Sequence, residues 1–195
     1  MATLGNTNNP TSGWAWPGSG YAFATSFTTP SGPGTLISAI HAYFATPSGA
    51  STGYVCVWDN SGTLLGSVNI GALPSGSQSA GGQSWQVGTL SSPLYVAPST
   101  PIWIGGYGTG NVVFSSESGG SSQTKSMGGG GPGSFSGHGN SGIGGAGAYV
   151  DYTPSGGRVR RSGVWVNGAS EVERSSVATI GQAFVRRSGV WVPGS

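Results

Sequence analysis

A chain of 195 residues has room for one domain of ordinary size and an appendage, since domains cluster at about 100 to 150 residues. Only 6% of the residues are charged, and 39 glycines with many Ser and Thr occupy the polar positions, so the surface is neutral and rich in hydroxyls. Aromatic residues make up 10% and include seven Trp, which excludes a chain too polar to build a core; the irregular glycine spacing excludes a collagen-like helix.

The net charge of +2 is unevenly placed. Residues 1–157 hold Lys125 against Asp59, Glu117 and Asp151, a net of −2, whereas residues 158–195 hold six Arg against Glu171 and Glu173, a net of +4. The arginines sit inside alternating apolar segments and form no long run, which argues against nucleic-acid binding. Cys56 stands alone in Val55-Cys56-Val57-Trp58 and reads as a buried, inert thiol. The opening MATLGNTNNPTSG has neither a basic nor an apolar leader region, and no apolar stretch approaches the roughly 20 residues of a membrane span. The expectation is a protein synthesised in a cytoplasm, with no membrane span.

Helix signals are nearly absent, because Gly, Pro and β-branched residues interrupt almost every window. Residues 1–20 read as an extended N-terminal segment carrying Trp14 and Trp16 beside Pro and Gly. The segment Thr35 to Phe44 is predicted as a central strand, with Leu36, Ser38, Ile40, Ala42 and Phe44 on one face and Ile37, His41 and Tyr43 on the other. Tyr54 to Trp58 and Thr63 to Val68 flank Asp59-Asn60-Ser61-Gly62, residue types that suit a tight turn, so the pair is predicted to form a β-hairpin. Further strands are expected at Gln83 to Leu90, Leu94 to Val96, Ile102 to Tyr107, Val112 to Ser115 and Ala148 to Tyr152. Turn residues at this spacing point to an all-β, jelly-roll-like β-sandwich over residues 21–157, with Trp58, Trp85 and Trp103 in its core.

Within that domain, residues 116–147 form a glycine-rich stretch. A loop this long inside a compact domain is uncommon, so the stretch is expected to be mobile or packed by a neighbouring subunit, with Phe135 and His138 at its tip. Trp14, Trp16, Tyr21, Phe135 and His138, flat rings among hydroxyls and amides, are the candidates for stacking on a glycan; packing or subunit contact is the plainer role for Trp14, Trp16 and Phe135.

The tail, residues 158–195, repeats itself. Val159-Arg160-Arg161-Ser162-Gly163-Val164-Trp165-Val166 recurs without change as Val185-Arg186-Arg187-Ser188-Gly189-Val190-Trp191-Val192. Ser-Gly between two apolar arms suits a two-residue turn, so each copy is predicted to be a short hairpin. Isolated two-stranded hairpins are marginal in water, so each copy needs a surface to lie against. Arg160, Arg161, Trp165, Arg186, Arg187 and Trp191 are therefore the candidate docking residues, by ring burial, stacking and forked hydrogen bonding.

No stretch of the sequence spells out a catalytic arrangement. Gly49-Ala50-Ser51-Thr52-Gly53 fits the pattern of a nucleophile elbow, but here the turn precedes a strand instead of opening a helix. His41 and His138 have no carboxylate near them in sequence. The G-x-G-x-x-G matches from Gly128, Gly137 and Gly142 open no helix. Three scattered carboxylates in the sandwich do not suggest a glycosidase, and two His with one Cys at unrelated spacing make no metal site. The reading is a non-enzymatic protein with no catalytic residue, no metal and no cofactor.

Two resemblances add to this. The stretch Phe27 to Tyr107, with FTTPSG, LISAIHAYF, VCVWDNSGTLLGS and WQVGTLSSPLYVAPSTPIWIGGY, resembles bacterial extracellular β-sandwich modules, many of them adhesive or carbohydrate-binding. VRRSGVWVPG in the tail is similar to elements near the C-termini of minor tail proteins of phages that infect actinobacteria; the first copy departs from it, with Asn167 where the second has Pro193. Together they imply a structural component of a virion tail, homo-oligomeric and by analogy trimeric, bound to other tail proteins and attaching to a host cell-wall glycan. A capsid decoration protein and a freestanding carbohydrate-binding module are the alternatives.

Overall fold

The computed structural model describes residues 1–118, 122–140 and 144–155, together with the backbone of four short strands between 158 and 193. Two compact units result, Met1–Ser155 and Gly156–Ser195. In the first, the strands are β1 (Ala2–Gly5), β2 (Gly13–Ser19), β3 (Tyr21–Thr28), β4 (Thr35–Ala45), β5 (Thr52–Asp59), β6 (Leu64–Ala72) and β7 (Ser84–Val96). They continue as β8 (Pro101–Gly108), β9 (Asn111–Glu117), β10 (Ser122–Ser126), β11 (Gly139–Asn140), β12 (Gly145–Ala146) and β13 (Ala148–Pro154). No helix occurs among the described residues, so none is long and apolar enough to cross a membrane.

The unit is a β-sandwich of two antiparallel sheets. One runs β11-β10-β3-β8-β5-β6. The other is built on β4, which pairs with β7 on one side and with β13 then β9 on the other, while β1 extends β13 and β2 extends β9. Between the sheets lie Phe23, Ile37, Ile40, Phe44, Val55, Val57, Ile102, Ile104, Phe114 and Val150, all fully buried. Phe23 stacks on Phe114 at 4.3 Å and meets Phe44 edge-on at 5.3 Å, fixing the centre of the layer. Gly88 lets β7 close on the opposite sheet: a Cβ there would come within 2.5 Å of Val55 Cγ2 and Val68 Cβ.

Strict alternation fails in β4, and the register shows why. Ile37 faces Tyr152 and Ala39 faces Asp151, with the shift falling at Ser38; on the other side Ile37 faces Leu94 and Ala39 faces Thr89, which leaves 90–93 outside the ladder. A bulge inserts one residue and reverses the faces beyond it. Ile37 therefore joins Ile40, Ala42 and Phe44 in the core, while Leu36, expected with Ile40, does not. Ser91-Ser92-Pro93, which read as a break between two strands, is this interruption within one strand, and Pro93 has no N–H for a ladder to lose.

The hairpin β5–β6 turns where the sequence places it. The Asp59 carboxylate accepts hydrogen bonds from Ser61 Oγ at 2.6 Å and Thr63 N at 2.8 Å, and Gly62 takes φ +86°. These bonds hold the Asp59 carboxyl below the ordinary range, the Ser61 hydroxyl first among the causes.

The N-terminal residues differ from expectation. Within 1–20, the supposed extended segment, β1 and β2 both pair into the seven-stranded sheet. Short strands punctuated by Gly, Pro and Asn hide their periodicity, and pairing with β13 and β9 supplies what local propensity does not.

In the second unit, β14 (Arg158–Arg161) pairs antiparallel with β15 (Val164–Asn167), and β16 (Phe184–Arg187) with β17 (Val190–Pro193). Both hairpins have the same register: Arg160 is opposite Trp165, and Arg186 is opposite Trp191.

Candidate functional site

Aromatic rings line both outer faces of the sandwich. On the six-stranded sheet they are Trp58, Trp103 and Tyr107, and residues 127–138 of the glycine-rich stretch fold back over them. Phe135 is 0% exposed, stacked on Trp58 at 4.9 Å and tilted against Trp103 at 5.7 Å. Backbone groups of the loop meet the polar atoms beneath. Trp58 Nε1 donates to Gly133 O at 2.8 Å, Tyr107 OH donates to Gly128 O, and Phe135 N donates to Gly62 O at 2.7 Å. Gly62 allows this approach, since a Cβ there would collide with Ser136 N, and Gly128 takes φ +69° as the loop turns back. Trp103 Nε1 is buried there without an acceptor.

The expectation that this loop is mobile or packed by a neighbour is therefore corrected for its described residues, since it covers the chain's own sheet. Phe135 is corrected as a glycan-stacking candidate, because both its faces are in use inside the protein. His138 stacks on Phe135 at 5.0 Å and lies 4.5 Å from Trp103, with Nδ1 3.3 Å from Gln123 Oε1. Burial first, and Lys125 second, lower its pKa from the ordinary value.

The seven-stranded sheet is finished differently. On its outer face His41 of β4 is flanked by Tyr149 of β13 and Val87 of β7, and Tyr43 lies opposite Trp85. The His41 ring lies parallel to Tyr149 at 4.1 Å; Trp85 meets Tyr149 edge-on at 5.0 Å and Tyr43 edge-on at 5.3 Å. His41 Nε2 is 3.0 Å from Asp151 Oδ2. Burial and the nearby Asp151 raise the Tyr149 phenol above its ordinary pKa. Two further bonds hold the cluster: Trp85 Nε1 donates to Asn9 Oδ1 at 2.8 Å, and Tyr43 OH donates to Gly81 O at 3.2 Å. Pro10 and Gly81 cover the end near Tyr43, and His41 is buried; Val87 stays 51% exposed, and Trp85, Tyr149 and Asp151 are half-buried.

Here the structure supplies the carboxylate partner that the sequence did not offer His41. Asp151 lies 110 residues away in the chain, and only the β4–β13 pairing brings the two together. The hydroxyl beside them is that of Ser38, which donates to Asp151 O at 3.3 Å. Ser51, of the elbow-like sequence, is buried and accepts a hydrogen bond from Gly110 N at 3.0 Å, a structural role. Among the described residues no group of three His, Cys, Asp or Glu gathers as a metal site. Cys56 is buried beneath the loop, and burial pushes its thiol pKa well up.

The other candidates are dispersed. Trp14 and Trp16 lie on β2, exposed by 39% and 47%, and Ala15 between them packs on the core. Trp14 is opposite Ser115, whose hydroxyl accepts from Gly81 N at 3.0 Å, so it shares the outer face of the His41 cluster. Tyr21 opens β3 in the other sheet and is not part of that face. Of the three tryptophans expected in the core, Trp58 is fully buried, whereas Trp85 and Trp103 are partly exposed. The side chains of Arg160, Arg161, Trp165, Arg186, Arg187 and Trp191 lie outside the described residues; the backbone pairs them as stated. No protein-family model, curated protein or solved structure matches the chain.

Proposed function

We propose that this chain is a non-enzymatic structural component of a phage virion, a minor tail protein whose sandwich is held in the particle by its C-terminal hairpins and contributes to host attachment. One observation carries the reading: an octapeptide present twice forms the same hairpin twice, in the same register. Four paired residues on each side are too few to persist alone in water, so two identical ribbons call for a surface that orders them. Two weak contacts on one chain also raise overall binding by avidity, about 10²-fold or more over a single site. The likeness of VRRSGVWVPG to tail-protein termini points to other tail proteins as that surface, in a homo-oligomeric, by analogy trimeric, assembly.

The test is incorporation into particles. Chains carrying Trp165→Ala and Trp191→Ala together are expected to be made and folded but absent from purified virions on quantitative immunoblots, with either single variant intermediate. Undiminished incorporation of the double variant would end this reading.

A further inference from the structure

The cluster of His41, Tyr43, Trp85, Tyr149 and Asp151 has no part in the fold's central core and none in the hairpins. We propose that it is a binding platform for a neutral pyranose sugar, one ring of which stacks on Tyr149 with Trp85, set edge-on to that ring, walling its side, while its hydroxyls bond to Asp151. The inference deepens the attachment reading above and rests on it only for the biological source of the sugar.

Four features select this ligand class. First, the rings are fixed before any ligand arrives: Tyr149 lies on His41, Trp85 is held by Asn9, and Tyr43 is held by Gly81. A site ordered in advance loses less entropy on binding. Second, one oxygen of Asp151 is taken by His41, while Oδ1 and the Tyr149 hydroxyl make no hydrogen bond among the described residues, so an acceptor and a phenol sit beside the rings. A pyranose presents that combination in reverse, an apolar C–H face with hydroxyls around its edge.

Third, no Lys or Arg side chain of residues 1–155 lies on this face: Lys125, the sole one there, is on β10 in the other sheet, and hydroxyl-bearing neighbours of the cluster include Ser38, whose Oγ donates to Asp151 O at 3.3 Å, Thr3, opposite Asp151, and Thr89, opposite Ala39. An anionic ligand would meet the Asp151 carboxylate. Fourth, the exposed apolar residues on this face are few, Val87 beside the rings and Trp14 on β2, whereas a stable protein interface covers about 800 Å² on each partner around an apolar centre.

The experiment uses the purified full-length chain, with intrinsic tryptophan fluorescence and calorimetry read during titration with cellopentaose, xylopentaose and mannopentaose. At least one of these sugars is expected to bind saturably at millimolar or lower concentration. Tyr149→Ala and Asp151→Asn should each weaken it about tenfold, as truncation of a central contact does, while Leu65→Ala on the opposite sheet leaves it unchanged. Asp151→Asn keeps the side-chain shape, so the test stands even where Tyr149→Ala fails to fold.

Binding by none of the three sugars, or binding that survives both substitutions, overturns the proposal. So does displacement of the sugar by choline, which would make the face a cation site, and so does a self-association seen in sedimentation that the same substitutions abolish. The two readings separate cleanly. Asp151→Asn chains should still enter virions, and the double Trp165→Ala, Trp191→Ala chain should still bind sugar, so either can fail alone.

Discussion

On one outer face of the sandwich Trp58, Trp103 and Tyr107 are roofed by residues 127–138; on the other, Trp85 and Tyr149 remain half-buried above a buried His41. Both faces carry rings of similar size, so aromatic content alone does not distinguish core from site. The difference lies in where the polar atoms of the rings find partners. Beneath the roof, Trp58 Nε1 and Tyr107 OH are bonded by loop carbonyls of Gly133 and Gly128, which a glycine-rich backbone can bring close. On the open face, Trp85 and Tyr43 are pinned by Asn9 and Gly81, which leaves Trp85 half-buried while Tyr43 is buried. The first arrangement contributes stability and the second holds a surface ready.

The largest effect should come from removing the roof's anchor. Phe135→Ala takes away a fully buried ring and is expected to cost about 3–5 kcal/mol, read as a fall in urea midpoint and in Tm. The matching change on the open face, Val87→Ala, should stay within about 0.5 kcal/mol, since that side chain is 51% exposed. Equal costs at the two positions would erase the distinction between the faces. An intermediate effect tests how the roof is seated. Gly62 has φ +86°, and a Cβ there would run into the backbone nitrogen of Ser136, so Gly62→Ala faces both strain and collision. The expected loss is about 1–3 kcal/mol. It should appear together with faster hydrogen exchange at Phe135 N, which donates to Gly62 O.

Much of the sandwich is legible in the sequence, and the reasons for the rest are local. The Asp59–Gly62 hairpin could be read because its turn chemistry is contained in four residues. Which face of β4 is inside could not, because the bulge at Ser38 reverses the alternation and arises from pairing with β7 and β13, not from β4 itself. Phe135 looked like the tip of a loop because the glycines around it carry no pattern; what marks it as core is the Trp58 ring, 77 residues earlier in the chain, on which it stacks. The open face was missed for a related reason. Trp85 read as one more core tryptophan, and the His41–Asp151 pair joins strands at opposite ends of the domain, so neither residue announces the other. Trp14 and Trp16 stand out in the sequence only as rings beside Pro and Gly; their alternation with Ala15, which leaves them 39% and 47% exposed, comes from the pairing of β2 with β9.

The smallest effect lies in the pH dependence of the covered face. In the unfolded chain the His138 imidazole titrates near ~6.5, and in the folded protein burial, then Lys125, lowers that value. The fold therefore favours the neutral ring. Its contribution is complete above the unfolded value and is lost as pH falls through the folded one, because protonation is then easier in the unfolded chain. The ring is partly exposed, so solvent screens the effect and the slope should be shallow. Melting of the wild-type chain and of His138→Gln is expected to diverge between about pH 7 and 5, with the wild type losing more Tm on acidification. Every other titrating group is common to both chains and cancels in the difference. If the slope arises at His138, acid should lower the protection factor of Phe135 N, taken against the intrinsic rate at each pH, in the wild type before it affects the amides of β4 and β13; parallel pH slopes for the two chains would show that the roof does not sense the proton.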